Sequence, residues 1–172
     1  MNNFKKNYGI WYLLYLVFGT WLPESRHMIF AKRIRNFFGR KIMTECDSSA
    51  NIERYARFGK QCSIGRNSSI GVKCELYGPV QIGNDVMMGP EVVIYTSGHE
   101  HSRKDVPMIQ QGGTDDKKVV IKDDCWIGRR TIVMPGVTIE KGCIIGAGAV
   151  VTKSTDPYSV WGGIPAKKLK DR

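Results

Sequence analysis

His99 and His101, in the run Thr96-Ser97-Gly98-His99-Glu100-His101, are the residues of this sequence best suited to moving a proton near neutral pH. An imidazole has an unperturbed pKa of about 6.5, so it can take up a proton and return it within one reaction cycle. The competing reading is a pair of solvated loop histidines without a role. The place of the pair in the chain favours catalysis for one of them, as the repeat shows below. The third histidine, His27, lies in a basic amphipathic stretch and reads as a surface residue. Lys153, Lys167, Lys168 and Lys170 form a second candidate cluster, which either holds an anionic ligand as point charges or solubilises the terminus. The five cysteines, Cys46, Cys62, Cys74, Cys125 and Cys143, are odd in number and lack the short paired spacings of a zinc site.

The histidines interrupt a repeat. A large apolar residue returns every sixth position at Ile52, Phe58, Ile64, Ile70, Leu76, Ile82, Met88 and Ile94, and again at Ile121, Ile127, Val133, Ile139, Ile145 and Val151. Gly often follows it, and a compact residue stands four positions after it, from Ala56 and Cys62 to Ala149 and Thr155. Six is neither the 3.6 of a helix nor the 2 of a lone strand. It describes short strands joined at corners, each sending one large side chain into a shared interior. Such a coil cannot close its own apolar face, so coils stack into a parallel β-helix. Gly after the large residue suits a backbone that turns or needs open φ/ψ space. Four of the cysteines occupy the compact slot and read as small buried residues, in keeping with a reducing, cytosolic compartment.

The step from Ile94 to Ile121 is 27 residues, four sixes and three over, so residues 97–118 form an excursion from the solenoid. Long loops on rigid scaffolds are where function concentrates, and His99 and His101 stand at the start of this one. The solenoid is expected over 46–156 and a tail over 157–172, where Pro165 and the basic run after it predict a short terminal helix.

The net charge of +10 and pI near 9.5 call for an anionic partner: nucleic acid, a membrane surface or a phosphorylated ligand. Most of the excess lies before the repeat, where Lys5, Lys6, Arg26, Lys32, Arg33, Arg35, Arg40 and Lys41 face Glu24 alone. Residues 8–22 are apolar and rich in Trp and Tyr, yet shorter than the about 20 residues of a membrane span, and Pro23 stops them. They lack the small-residue cleavage site of a secretory signal. Ser25 to Ile42 reads as an amphipathic helix, with Ser25 as N-cap and Gly39 near its end. Residues 1–45 therefore form a helical segment with two readings. It caps the open end of the β-helix, or residues 1–44 lie on the inner face of a membrane with basic side chains on anionic lipid.

The runs TSGHEH, VVIKDDCWIGRRTIVMPGVTIEKGCIIGAGAVVTK and VWGGIPAKKLK resemble the bacterial hexapeptide-repeat acyltransferases with a left-handed parallel β-helix. Within them they are similar to the O-acetyltransferases of the galactoside, maltose and capsule or exopolysaccharide type. The resemblance covers about 70% of the chain. It implies an all-β fold with an N-terminal helical segment, and a homotrimer with active sites between neighbouring β-helices. It also implies acetyl-CoA as co-substrate, a carbohydrate acceptor, and neither metal nor nucleic acid. By the same resemblance His99 is the general base, with His101 the alternative, and Arg129, Ala147, Thr152, Lys153, Lys167 and Lys170 contact acetyl-CoA. The basic ones suit its phosphates, and Ala147 leaves room for the pantetheine arm. Two departures stand out. Arg129 replaces the small residue common after Trp-Ile-Gly, and the acceptor-binding acidic and Asn residues of the galactoside enzymes have no match around Lys73 to Tyr77.

The expected function is O-acetylation of a sugar or polysaccharide precursor, in the cytoplasm or peripherally at the inner face of the membrane. Serine, an amino sugar or an antibiotic are alternative acceptors. A zinc lyase like the γ-type carbonic anhydrases needs three histidine ligands, and His27 stands far from the other two in sequence. A catalytically silent scaffold predicts that the loop histidines can be changed without effect.

Overall fold

The computed structural model describes residues 7 to 172, so Lys5 and Lys6 lie outside the described residues. Short strands recur with a period of three, and every third one pairs in parallel: Ser63 faces Gln81, eighteen residues on, and Trp126 faces Ile144. Three flat faces result. The first carries Glu45–Cys46, Ser63–Ile64, Val80–Ile82, Val119–Ile121 and Thr138–Ile139. The second carries Asn51–Ile52, Ser69–Ile70, Met87–Met88, Trp126–Ile127, Ile144–Ile145 and Ser159–Gly162. The third carries Arg57–Phe58, Glu75–Leu76, Val93–Ile94, Ile132–Val133 and Val150–Val151.

All fourteen large repeat residues point inward and are at most 5% exposed, and the compact fourth-slot residues are buried with them. Each such aliphatic side chain contributes on the order of 1.5–3 kcal/mol when fully buried, so the stack is held mainly by this column. At ten of the fourteen corners the chain turns through left-handed backbone three residues after the large one, at Tyr55, Asn67, Lys73, Asp85, Glu91, Asp124 and Arg130, then at Gly136, Gly142 and Gly148. The glycine directly after the large residue therefore serves a different purpose from the one expected. At Gly128 a Cβ would lie 2.5 Å from the Ala147 nitrogen of the next coil, so glycine there permits coils to approach.

Helices α1 (Tyr8–Phe18) and α2 (Ile29–Ile42) cover the open end of the first coil. Tyr15, Phe38, Ile42 and Met43 continue the core over Ala50, Ile52 and Phe58. The Tyr15 hydroxyl donates to the Ala56 carbonyl at 2.7 Å, and its ring lies 5.0 Å from that of Phe58. Ser25 does not cap α2, whose first helical residue is Ile29 with Met28 before it. The Ser25 hydroxyl instead donates to Asn51 at 2.8 Å and accepts from Arg35 at 2.9 Å. Arg35, expected among the surface cations, is fully buried: it donates to the carbonyls of Ile52, Leu22 and Pro23 and pairs with Glu53 at 3.3 Å. A guanidinium has five donors, and only such a set of acceptors makes its burial tolerable.

The terminal helix expected after Pro165 is absent. Lys167–Asp171 is a strand, antiparallel to Ser159–Gly162. Ser159–Gly162 continues the second face beside Ile144–Ile145, leaving an open edge that the returning chain satisfies. Gly163, at φ +95°, allows the reversal.

Candidate active site

Gln81 pairs with Val120, thirty-nine residues on, where a regular coil takes eighteen, so twenty-one residues leave the solenoid between the third face and the first. The excursion is tied at its neck. Gly98 N–H donates to Thr114 Oγ1 at 2.9 Å, Thr114 N–H to the Gly98 carbonyl at 3.0 Å, and Glu100 N–H to the Gly112 carbonyl at 3.0 Å. His99 pairs with Gly113 in the middle of this two-stranded neck. Below it the Thr96 hydroxyl donates to Asp116 at 2.7 Å, and Lys117 N–H donates to the Thr96 carbonyl at 2.6 Å. Farther out, the Gln111 amide donates to the carbonyls of Arg103 and Val106, closing the tip.

His99 is exposed, and neither of its ring nitrogens has a hydrogen-bond partner among the described residues. His101 differs, because its Nδ1 lies 3.1 Å from the His99 carbonyl. A carbonyl only accepts, so that contact places the His101 proton on Nδ1. His27 is in the cap, its Nε2 accepting from Arg26 Nε at 3.1 Å. Among the described residues no three of His, Cys, Asp and Glu gather as a metal site would require. Beside the loop root, Tyr77 and Tyr95 stack with centroids 5.7 Å apart and planes 9° from parallel. Both are exposed, and Tyr77 donates its hydroxyl to Glu75.

Four of the remaining candidates, Thr152, Lys153, Arg129 and Ala147, fall on the two edges of the third face. Tyr95, Met134 and Thr152 climb one corner in successive coils, linked by Tyr95 N–H to the Val133 carbonyl and Met134 N–H to the Val151 carbonyl. Thr152 and Lys153 are thus two coils, about 10 Å, along the axis from the root of the His99 loop, and both are exposed. Arg129 and Ala147 lie in neighbouring coils at the opposite edge, where Gly148 N–H donates to the Arg129 carbonyl at 2.8 Å. One chain therefore does not bring His99 against Arg129 and Ala147. Lys167 starts the last strand just after Ala166, whose N–H donates to the Val150 carbonyl of the third face, while Lys170 lies opposite Val160 on the second. Lys168 is occupied by Asp171 at 2.7 Å and Asp156 at 3.3 Å.

Glu91 was not singled out in the sequence, yet it receives both Arg129 and Arg130, the latter at 2.6 Å. Hydrogen bonds from Arg130 and then Arg129 hold its carboxyl below the usual carboxylate range. Arg129 is thus a tethered cation. Its partner stands one coil away at the same corner, a spacing the repeat itself contains. Tyr77 and Tyr95, each following a large repeat residue, were findable in the same way. The cysteine thiols are not reactive candidates: burial pushes Cys46 up to about 12 and Cys62, Cys74 and Cys125 up to about 11.

Two family models match the chain: bacterial transferase hexapeptide (six repeats) over residues 118–153, and hexapeptide repeat of succinyl-transferase over residues 61–96. A probable macrolide acetyltransferase of Lysinibacillus sphaericus is 38% identical over 71% of this chain and 67% of its own. A galactoside O-acetyltransferase of Lactococcus lactis is 37% identical over 68% of this chain and 58% of its own. The solved structure of a maltose O-acetyltransferase from Clostridium difficile 630 superposes with a TM-score of 0.79 at 27% identity, covering 99% of this chain and 89% of that one. The chain spans about half the length of the first curated relatives it matches. The fold is the parallel β-helix expected from the repeat, with the left hand that the resemblance implied.

Proposed function

This chain belongs to the hexapeptide-repeat acetyltransferases, and on that premise we propose that it transfers acetyl from acetyl-CoA to a hydroxyl of a sugar or polysaccharide precursor. The observation that carries the reading is the setting of His99: an exposed imidazole with no hydrogen-bond partner among the described residues, at the neck of a braced loop that leaves a rigid solenoid.

In this reaction an unprotonated ring nitrogen of His99 takes the acceptor hydroxyl proton as that oxygen attacks the thioester carbonyl. The tetrahedral oxyanion accepts a hydrogen bond from a backbone N–H of a coil facing the cleft. Collapse breaks the C–S bond, and the leaving thiolate recovers the proton from the imidazolium. The products are an acetyl ester and free CoA. A general base of this kind contributes about 10²–10⁴-fold, and alignment of the two substrates supplies the larger remainder.

Arg129, Ala147, Thr152, Lys153, Lys167 and Lys170 serve as the acetyl-CoA contacts. The division of Thr152 and Lys153 from Arg129 and Ala147 between two edges of one face favours a site shared by two copies, the His99 corner of one against the Arg129 corner of the next. A trimer of parallel solenoids supplies three such clefts. The exposed Tyr77–Tyr95 stack beside the loop offers apolar ring surface to the carbon face of a sugar. The macrolide relative favours a second reading, in which the acceptor hydroxyl belongs to an antibiotic.

Release of CoA thiol, followed with purified chain, acetyl-CoA and a panel of sugars and macrolides, separates these readings. Sugar-dependent release lost in His99→Ala supports the proposal. Full activity in His99→Ala removes His99 as base, and release with macrolides alone moves the acceptor class.

A further inference from the structure

The cap has two sides, and closing the solenoid uses only one. Tyr15, Phe38 and Ile42 face inward, while Ile10, Leu13, Val17 and Phe18 of α1 and Ile29 and Phe37 of α2 remain exposed, Leu13 at 61%. Trp21, just beyond α1, is 71% exposed. No charged residue occurs between Tyr8 and Leu22. A contiguous exposed apolar surface of this kind marks a docking face.

The charges around it indicate what docks. Lys32, Arg33 and Arg40 line a groove of about 380 Å³ together with Ile29 and Phe37, and no acidic residue contributes to it. None of these three cations forms a salt bridge among the described residues. Lys41 lies 5.5 Å over the Trp11 ring, adding another cation at the seam between the helices. Cations beside exposed aliphatic and aromatic side chains match the boundary of an anionic bilayer, where headgroup phosphate lies above acyl chain. The eleven residues of α1 reach about 16 Å, well short of the about 30 Å of a hydrocarbon core. Among the described residues no helix is long and apolar enough to cross a membrane. A helix of this length can meet a bilayer only by lying along its surface.

We propose that the outer face of α1 and α2 binds an anionic membrane surface, with Ile10, Leu13 and Val17 inserted among the acyl chains and Lys32, Arg33 and Arg40 on lipid phosphate. The cap is thus both the lid of the solenoid and its membrane foot.

The test is sedimentation of the whole chain with vesicles of phosphatidylcholine alone, or of phosphatidylcholine with about one third phosphatidylglycerol, at low and high salt. Expected is binding at least tenfold stronger to the anionic vesicles, weakening as salt screens the charges. The Arg33→Gln/Arg40→Gln variant should lose roughly fivefold per cation on anionic vesicles only, and Leu13→Asp should weaken binding to both. All three side chains are exposed, so unchanged thermal unfolding of the variants is the folding control. Equal binding to both vesicle types, or anionic binding that survives both variants, overturns the proposal. So does a Leu13→Asp variant that leaves vesicle binding intact while shrinking the assembly on sizing, since a second copy then covers the face.

Discussion

The imidazole of His101 hydrogen-bonds the backbone of His99: Nδ1 of one lies 3.1 Å from the carbonyl of the other. The two imidazoles are therefore engaged differently. The contact commits the His101 proton to Nδ1 and stiffens the turn that presents His99, whose own ring nitrogens stay unengaged among the described residues. Replacing His99 by Ala should lower kcat by about 10²–10⁴-fold with a small change in KM for acetyl-CoA. His101→Ala keeps the base and loses only the brace, so a decrease nearer tenfold is expected. Steady-state kinetics of the two variants decides it, and equal losses would assign the proton transfer to neither alone.

Tyr15 is a large apolar ring with one polar atom, and that atom is satisfied by the Ala56 carbonyl at 2.7 Å. Tyr15→Phe keeps the ring contact with Phe58 but leaves the carbonyl unpaired in a buried site. A loss of about 1–3 kcal/mol is expected, readable as a lower urea midpoint with unchanged slope.

Arg35 should prove more costly. Its guanidinium binds three backbone carbonyls, Ser25 and Glu53, joining the α1–α2 connection to the second face. Arg35→Met removes the charge and strands these acceptors, with an expected loss of about 3–5 kcal/mol. Arg33→Met, two residues earlier on the exposed side of the same helix, should change stability by less than about 0.5 kcal/mol. Equal effects on parallel denaturation curves would refute the distinction.

The buried thiols give the fold a direction of pH dependence. In the unfolded chain a cysteine loses its proton near pH 8.5, while Cys62, Cys74 and Cys125 hold theirs up to about 11 in the fold. Between these values the folded state carries more protons than the unfolded one, so stability falls as pH rises. Below about pH 8.5 both states are protonated and the contribution is fully present. Urea midpoints should therefore decline from about pH 8.5 to 11, and the decline should be shallower in Cys74→Ala. In the folded protein at pH 8 these thiols should react with a disulfide reagent far more slowly than after unfolding.

The repeat was legible because each large residue, at a spacing of six, has one place to go, and all fourteen went there. The residue count left over between Ile94 and Ile121 located the loop for the same reason. Arg35 was not legible: nothing local separates it from Arg33, and its partners Ile52 and Glu53 are set by the docking of α2 on the first coil. The basic tail misled in another way. Its Lys-rich composition suits a helix end, but the unpaired edge of Ser159–Gly162 offered a ladder of hydrogen bonds that local preference could not match. At the candidate site, His99 was visible as a residue while its neck was not, since Gly98, Gly112 and Gly113 carry no strand pattern.

That neck rests on Gly78. Its backbone is left-handed, at φ +83°, and an added Cβ would fall 1.9 Å from Thr96 Oγ1 and 3.0 Å from Asp116. Thr96 and Asp116 are the pair whose 2.7 Å hydrogen bond ties the two ends of the excursion together before it reaches Gly98 and Thr114. Gly78→Ala therefore meets both a conformational cost and a collision, about 1–3 kcal/mol for the backbone alone. The collision is relieved by moving Thr96, which carries His99 three residues on. Repositioning of a base by about 1 Å is enough to cost on the order of 10²-fold in rate, so the expected variant is folded, less stable, and impaired chiefly in kcat. Gly112, also left-handed but with nothing within 4 Å of its added Cβ, is the control. Gly112→Ala should lose stability through the backbone without a comparable loss of kcat. If Gly78→Ala turned over at the wild-type rate while losing stability, the root of the loop would not be what aims His99.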